Sequence, residues 1–181
     1  MNWYVVDKGY VEYLKEFDDK VGNVDYGDDA FKVHTGIAYT IRDNKYYIPM
    51  CSKKAKHENM KNSIDFQKIE EVGTRRLLSV LNINNMIPVP DEYIEELKYD
   101  NIEKYRSFKN DKEKVDYIYI LQLEMAAIQE MEDVLKEKAE KLYKKCEEKP
   151  DSKLAQRCCN YKLLEEKSKE YKQNRISART I

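Results

Sequence analysis

The sequence predicts an α+β fold, a small twisted antiparallel sheet, partly curled toward a barrel, elaborated by helices. Three features of the sequence point there. Short β-branched and aromatic runs separated by Asp/Asn turns occupy the first ninety residues, Pro88 and Pro90 mark a change of character, and beyond them apolar residues recur at steps of three and four. With 181 residues the chain is the size of one domain, expected to span 1–181, with the sheet and an N-terminal helix over 1–90 and a helical elaboration over 91–181.

Trp3-Tyr4-Val5-Val6 is a short β-type run ended by Asp7, a good helix N-cap. Tyr10, Tyr13, Leu14 and Phe17 then lie on one face of an amphipathic helix over Gly9 to Val21. A polar loop rich in Gly and Asp follows. His34 to Ile41 and Lys45 to Met50 read as two strands around the turn Arg42-Asp43-Asn44. Ile64 to Ile69 and Leu81 to Val89 supply two more candidate strands, and Asp91 to Leu97 starts a helical segment. From Asp111 to Cys146 the apolar positions Ile118, Leu121, Met125, Ile128, Met131, Leu135, Ala139 and Leu142 trace one long helix with a narrow buried stripe. Pro150 breaks it, Asp151 or Ser152 caps the next helix, and Leu154 to Tyr171 continues.

Composition narrows the function classes. Charged residues make up 37%, yet 33 Lys+Arg against 34 Asp+Glu leave a net charge of -1, which excludes a uniformly basic nucleic-acid coat. The four Cys include the neighbours Cys158 and Cys159, without the spacing of a zinc knuckle, so free thiols are expected and neither a metal nor a cofactor is. The opening residues lack a basic segment followed by an apolar one, and no apolar run approaches the ~18 residues a membrane span needs. A cytoplasmic location without membrane attachment is the expectation.

The balanced total hides one cationic window. Between Lys45 and Lys61 lie Lys45, Lys53, Lys54, Lys56, Lys61 and His57, with Glu58 the single acid. A solvated lysine cluster is a commoner explanation for such a run than phosphate binding. Its place directly after the strand Tyr46 to Met50 sets Cys51, Ser52 and Lys54 on a supported loop at a strand end. Lys53, Lys56 and Lys61 suit phosphate contacts, and a nearby ring such as Tyr47 suits stacking on an unpaired base. Tyr46 and Tyr47 alternate across the strand, however, so at least one belongs to the core.

These residues also carry a resemblance. Tyr10 to Val21 resembles the Y-x-x-Y-L-K-E-F-D-x-x-V helix of the ToxN/AbiQ family, the endoribonuclease toxins of type III toxin–antitoxin systems. Lys32 precedes Gly36 at the family's spacing, and Met50 to His57 resembles its L-T-S-P-K-x-x-H loop. Leu81 to Val89 is similar to its L-N-x-x-x-M-I-P strand, and Cys159 to Lys167 to its closing helix. Within the family the CptN-type branch is the nearest in pattern. The resemblance implies a fold like that of MazF/Kid-type toxins and metal-independent RNA cleavage. It further implies inhibition by a repeated pseudoknot RNA antitoxin in a closed toxin–RNA assembly, with cellular or phage RNA as substrate.

Carried over residue by residue, the resemblance makes Ser52, Lys54, Lys32 and Tyr10 catalytic, and Tyr119 and Gln122 partners from the long helix. Cys51 stands where the family has Thr, and Lys53 where it has Pro. A thiol is a weaker donor than a hydroxyl, so any bond from this position to phosphate is weakened. Without a metal, the RNA's own 2′-OH can attack, leaving a 2′,3′-cyclic phosphate and a 5′-OH. Lysine titrates near ~10.4 in water, so Lys32 and Lys54 are assigned to stabilising developing charge rather than to accepting a proton. His57 fits either a general acid–base or a loop-fixing role. A non-catalytic RNA-binding module, and a scaffold built on the long charged helix, are the competing readings.

Overall fold

The computed structural model describes residues 2–22, 33–41 and 44–179; over 33–41 and 174–179 it describes the backbone. Lys32 and the turn residues Arg42 and Asp43 lie outside the described residues. Strands β1 (Trp3–Val6), β2 (Val33–Ile41), β3 (Asn44–Ser52), β4 (Gln67–Glu70), β5 (Leu77–Leu81), β6 (Ile87–Pro88) and β7 (Ile94–Glu96) form one antiparallel system. The bonded order is β4-β5-β3-β2-β1-β7, with β6 on β3. The described strands do not close into a barrel, because β4 and β7 end the order as separate edges.

Helix α1 (Lys8–Lys15) starts where Asp7 accepts from the Tyr10 amide at 2.8 Å, as its N-cap position predicts. It ends earlier than the apolar spacing suggests. Asp18, buried and bonded to the amides of Lys20 (3.0 Å) and Asn160 (2.6 Å), turns the chain there. The second amide leads into α6 (Tyr161–Arg179), so the carboxylate also sits at the positive end of that helix.

Four other expected elements differ. Leu81 to Val89 is not one strand: a 3₁₀ turn over Ile83–Asn85 separates β5 from β6, and it buries Ile83 and Met86. Asp91 to Leu97 is a 3₁₀ turn followed by β7, which pairs Ile94 with Val6 and completes the sheet edge. Satisfying the backbone of β1 outweighs the helical pattern there. The long helix divides at Met131 (φ -111°, ψ 17°) into α3 (Asp111–Glu130) and α4 (Glu132–Glu148). After Pro150, Ser152 caps the short α5 (Lys153–Gln156) through the Ala155 amide at 3.1 Å, and Arg157 to Asn160 separate it from α6.

Helices α3 and α4 cover the sheet. The Trp3 indole donates to the Leu121 carbonyl at 3.1 Å, joining β1 to α3 across 118 positions of sequence. Glu165 on α6 accepts from the Tyr46 hydroxyl of β3 (2.6 Å) and the Tyr143 hydroxyl of α4 (3.0 Å). A second tyrosine cluster joins α1 to α6: Tyr10 stacks on Tyr93 at 5.1 Å, and Tyr171 stands edge-on to both.

Tyr10 and Tyr47 therefore correct the sequence reading. Tyr10 is fully buried; its hydroxyl donates to the Pro88 carbonyl at 2.6 Å and pairs with Ser168 Oγ at 2.8 Å. Pro88 pairs with Tyr46, six residues along β3 from Ser52, or about 20 Å of strand. Tyr10 touches no strand-end phosphate from there. The Tyr47 ring is buried edge-on against Tyr4 at 5.4 Å and has no face left for a base. Tyr10→Phe should lower the unfolding free energy by about 1–2 kcal/mol in urea titration, because the buried Pro88 and Ser168 groups lose a partner. Folded Tyr10→Phe protein should keep the parent's activity.

Candidate active site

Strand β3 runs on to Ser52 because β5 pairs with its end: Met50 faces Leu81, Cys51 faces Val80 and Ser52 faces Ser79. Side chains alternate along a strand, so Cys51 and Ser52 leave on opposite sides. Ser52 is exposed, on the side that holds Ser79. Cys51 is half-buried on the other side, and its sulfur accepts from the Asn82 amide at 3.1 Å.

Beyond Ser52 the chain leads into the short helix α2 (Ala55–Asn59). His57 sets this turn. Its ring is buried against Phe66 (5.8 Å), its Nδ1 accepts from the Lys54 amide at 3.1 Å, and its own amide donates to the Lys54 carbonyl at 2.8 Å. Burial, and then the charges of Lys56, Lys54 and Lys68, push the imidazole below its usual pKa. A neutral ring accepting at Nδ1 carries its proton on Nε2. Of the two roles open to His57, the geometry supports fixing the loop.

Cys51, Lys54, Lys56, His57, Asn82 and Arg157 line an open hollow of about 400 Å³. Lys53, Lys54, Lys56 and Lys61 are exposed, and none of them forms an ion pair with another described residue. Asp65 is the acid in the hollow. Burial works to raise its carboxyl, but hydrogen bonds from Ser63 (2.7 Å) and Arg157 (2.6 Å) outweigh that together and hold it below the usual range. Its charge is thereby spent on Arg157, and the lysines remain available.

The other side of the strand end is covered by α3. Tyr119 and Gln122 lie on its exposed face, and Tyr119 lies close enough to act on the charge of Arg76 at the base of the β4–β5 hairpin. Ser52 and Lys54 thus lie at one strand end, with Cys51 and His57 behind the loop, while Tyr119 and Gln122 lie on the exposed face of α3, the helix packed on β4 and β5. Tyr10 and Tyr47 are buried in the core instead, and Lys32 lies outside the described residues. Sequence reasoning missed Arg157, Asn82 and Asp65, which reach the hollow from three separate segments. The 92 positions between Asp65 and Arg157 leave no local pattern to detect.

An antiparallel sheet under long helices, with an exposed cationic loop at one strand end, defines an α+β protein. The family model described as toxin ToxN of type III toxin–antitoxin systems matches residues 2–169, and the chain belongs to that family. It is 30% identical over 176 residues to the endoribonuclease ToxN of Pectobacterium atrosepticum, covering 94% of each chain. It is 27% identical over 180 residues to the endoribonuclease AbiQ of Lactococcus lactis, covering 94% of this chain and 89% of the relative. Among solved structures it resembles AbiQ, described as a lactococcal anti-phage endoribonuclease of a type III system, with a TM-score of 0.78 at 25% identity, over 95% of this chain and 98% of the other. A structure described as a processed non-coding RNA regulating a bacterial antiviral system matches with a TM-score of 0.78 at 29% identity, over 94% and 98%. Among the described residues no helix is long and apolar enough to cross a membrane.

The His57 arrangement has a pH signature. A histidine held below its unfolded pKa of ~6.5 favours folding while neutral, and that contribution is lost as acid protonates the unfolded chain first. His57→Asn should therefore be less stable than the parent at neutral pH by about 1 kcal/mol. The gap should narrow as the pH falls below ~6.5, read from melting temperatures across a pH series.

Proposed function

We propose that this chain is an endoribonuclease toxin of a type III toxin–antitoxin system that cleaves RNA without a metal ion and is held inactive by a repeated pseudoknot RNA. The supporting observation is the exposed strand-end loop from Ser52 to Lys56, cationic and lacking ion-pair partners among the described residues. Family membership and relatives named endoribonuclease give the activity class.

In this mechanism the substrate's 2′-OH attacks the adjacent phosphorus, the bond to the 5′ oxygen breaks, and a cyclic phosphate and a free 5′-OH remain. Negative charge grows on the nonbridging oxygens. Lys54 answers it from a fixed backbone position, and Lys32, the lysine matched by family spacing, is its proposed partner. Ser52 donates to a phosphate oxygen and holds the bent link. Two residues of extended chain separate Ser52 from Lys54, about 7 Å, which the lysine stem spans easily. Lys53, Lys56 and Lys61 neutralise flanking phosphates, while Tyr119 and Gln122 meet the nucleotide from α3. His57 and Cys51, bonded to the Lys54 amide and to Asn82, keep the loop in place.

Purified protein should cleave RNA in excess EDTA, leaving cyclic-phosphate ends, and a 2′-deoxy nucleotide at the cut should stop cleavage. Intact RNA under all conditions, with tight binding retained, would instead identify a non-catalytic RNA-binding module. Ser52→Ala and Lys54→Met should each slow cleavage by about 10²–10³-fold, since each removes a donor from developing charge, with melting temperatures unchanged. The logarithm of the affinity of Ser52→Ala for RNA should fall linearly with log salt, as the released counterions require.

A further inference from the structure

Beneath Ser52 lies a carboxyl that the mechanism above leaves unused. Glu124 on α3 is 3% exposed, and its Oε2 has no hydrogen-bond partner. Ser79 Oγ, on β5, is likewise buried and without a well-directed partner. Ser79 lies near enough for its hydroxyl to bear on the Glu124 carboxyl, although neither Ser79 Oγ nor Glu124 Oε2 has a hydrogen-bond partner. Ser79 is the register partner of Ser52, and directly opposed residues project to the same side of an antiparallel pair. Tyr119 and Gln122 lie within five positions of Glu124 on the same helix. The Glu124–Ser79 contact thus stands between the two halves of the proposed site.

We infer that Glu124 is a positioning residue that acts as a neutral acid against Ser79, seating α3 on β5 so that Tyr119 and Gln122 stay in register with Ser52, and that its ionisation unseats them. The inference rests on the RNA-cleavage reading for its effect on activity. An uncompensated carboxylate buried there is strongly disfavoured, whereas the protonated form carries no charge to bury.

Among the described residues no cation pairs with Glu124. Tyr117, on the same helix, has its own ring covered by Arg106 at 4.6 Å, and Tyr99 approaches from the segment after β7. Burial raises both phenols, so they remain neutral beside the carboxyl. From β4, alternation turns Gln67 and Ile69 toward the helices and Lys68 and Glu70 away, and the Lys68 ammonium is bonded to the Glu58 carbonyl. Lys138 of α4 comes as far as Gln67, at 2.6 Å. Burial accordingly pushes Glu124 up to about 7, the Ser79 hydroxyl pulling the other way.

The test compares the parent chain with Glu124→Gln, which is neutral at every pH. Hydrogen-exchange protection of α3 and β5 amides, corrected for intrinsic rates, should fall in the parent as the pH rises through about 7 and stay level in E124Q. The ratio of parent to E124Q cleavage rates should fall about tenfold between roughly pH 6 and pH 8, as one ionisation requires. Protection independent of pH in both chains overturns the inference, and so does a flat rate ratio in a parent that cleaves RNA. A parent that cleaves nothing refutes the proposed function, while hydrogen exchange still decides whether Glu124 seats the helix. If E124Q does not fold, Ser79→Ala serves. Losing that hydroxyl should move the protection midpoint to higher pH, and an unmoved midpoint overturns the inference.

Discussion

The pairing of Ser52 with Ser79 is the constraint on which the site depends. Strand β3 is nine residues long, and without β5 its last turn of pairing would be an unsupported edge. Carried to its end by β5, the strand presents Ser52 to solvent on one side and Cys51 to a polar hollow on the other. Everything beyond follows from that termination. The chain leaves the sheet at Lys53, His57 closes the turn on the Lys54 amide, and four lysines fall where no described acid neutralises them. A loop fixed at both ends loses little freedom on meeting a polyanion, so its charges act from set positions rather than from a mobile tail.

The surplus of tyrosine has a structural explanation. Fifteen tyrosines against four phenylalanines would suggest a base-stacking surface if they were exposed. Most of those named here are buried, and several have a bonded polar tip: Tyr10 uses Pro88 and Ser168, while Tyr46 and Tyr143 share Glu165. Tyrosine brings the apolar area of phenylalanine and a hydroxyl that ties neighbouring elements together. In a chain with 37% charged residues, such ties let helices dock on a sheet through few, directional contacts. Tyr119, exposed on α3, departs from this pattern.

Much of the frame was legible because it rests on local chemistry. Asp7 and Ser152 act as caps by their own side chains, Pro150 ends a helix by lacking an amide proton, and the cationic window is a matter of adjacent residues. The losses occurred where distant partners decide. Ile94 to Glu96 becomes a strand because β1, some ninety positions earlier, has backbone groups to satisfy. Tyr10 matches its family motif perfectly well and yet serves the core, since the stripe it shares with Leu14 meets α6 and β6 rather than a groove. Arg157 reaches the hollow only because the α5–α6 connection folds back on Asn84, whose amide donates to the Arg157 carbonyl at 2.9 Å.

Glu124 shows the same limit in sharper form. On α3 it follows Leu121 by three positions and precedes Ile128 by four, so periodicity assigns it to the buried stripe and composition assigns it to solvent. The structure resolves the conflict in favour of burial, and α3 bears a carboxyl in a space that an apolar residue would fill more stably. A local rule broken without a compensating ion pair marks a place where stability has been given up for something else. Its position supplies the candidate: it lies beside Ser79, between the helix carrying Tyr119 and Gln122 and the strand that props up Ser52. A purely apolar contact there would hold the two halves together at every pH. A titratable one makes their alignment conditional, and it does so from inside the protein, where neither RNA nor solvent cations can screen it.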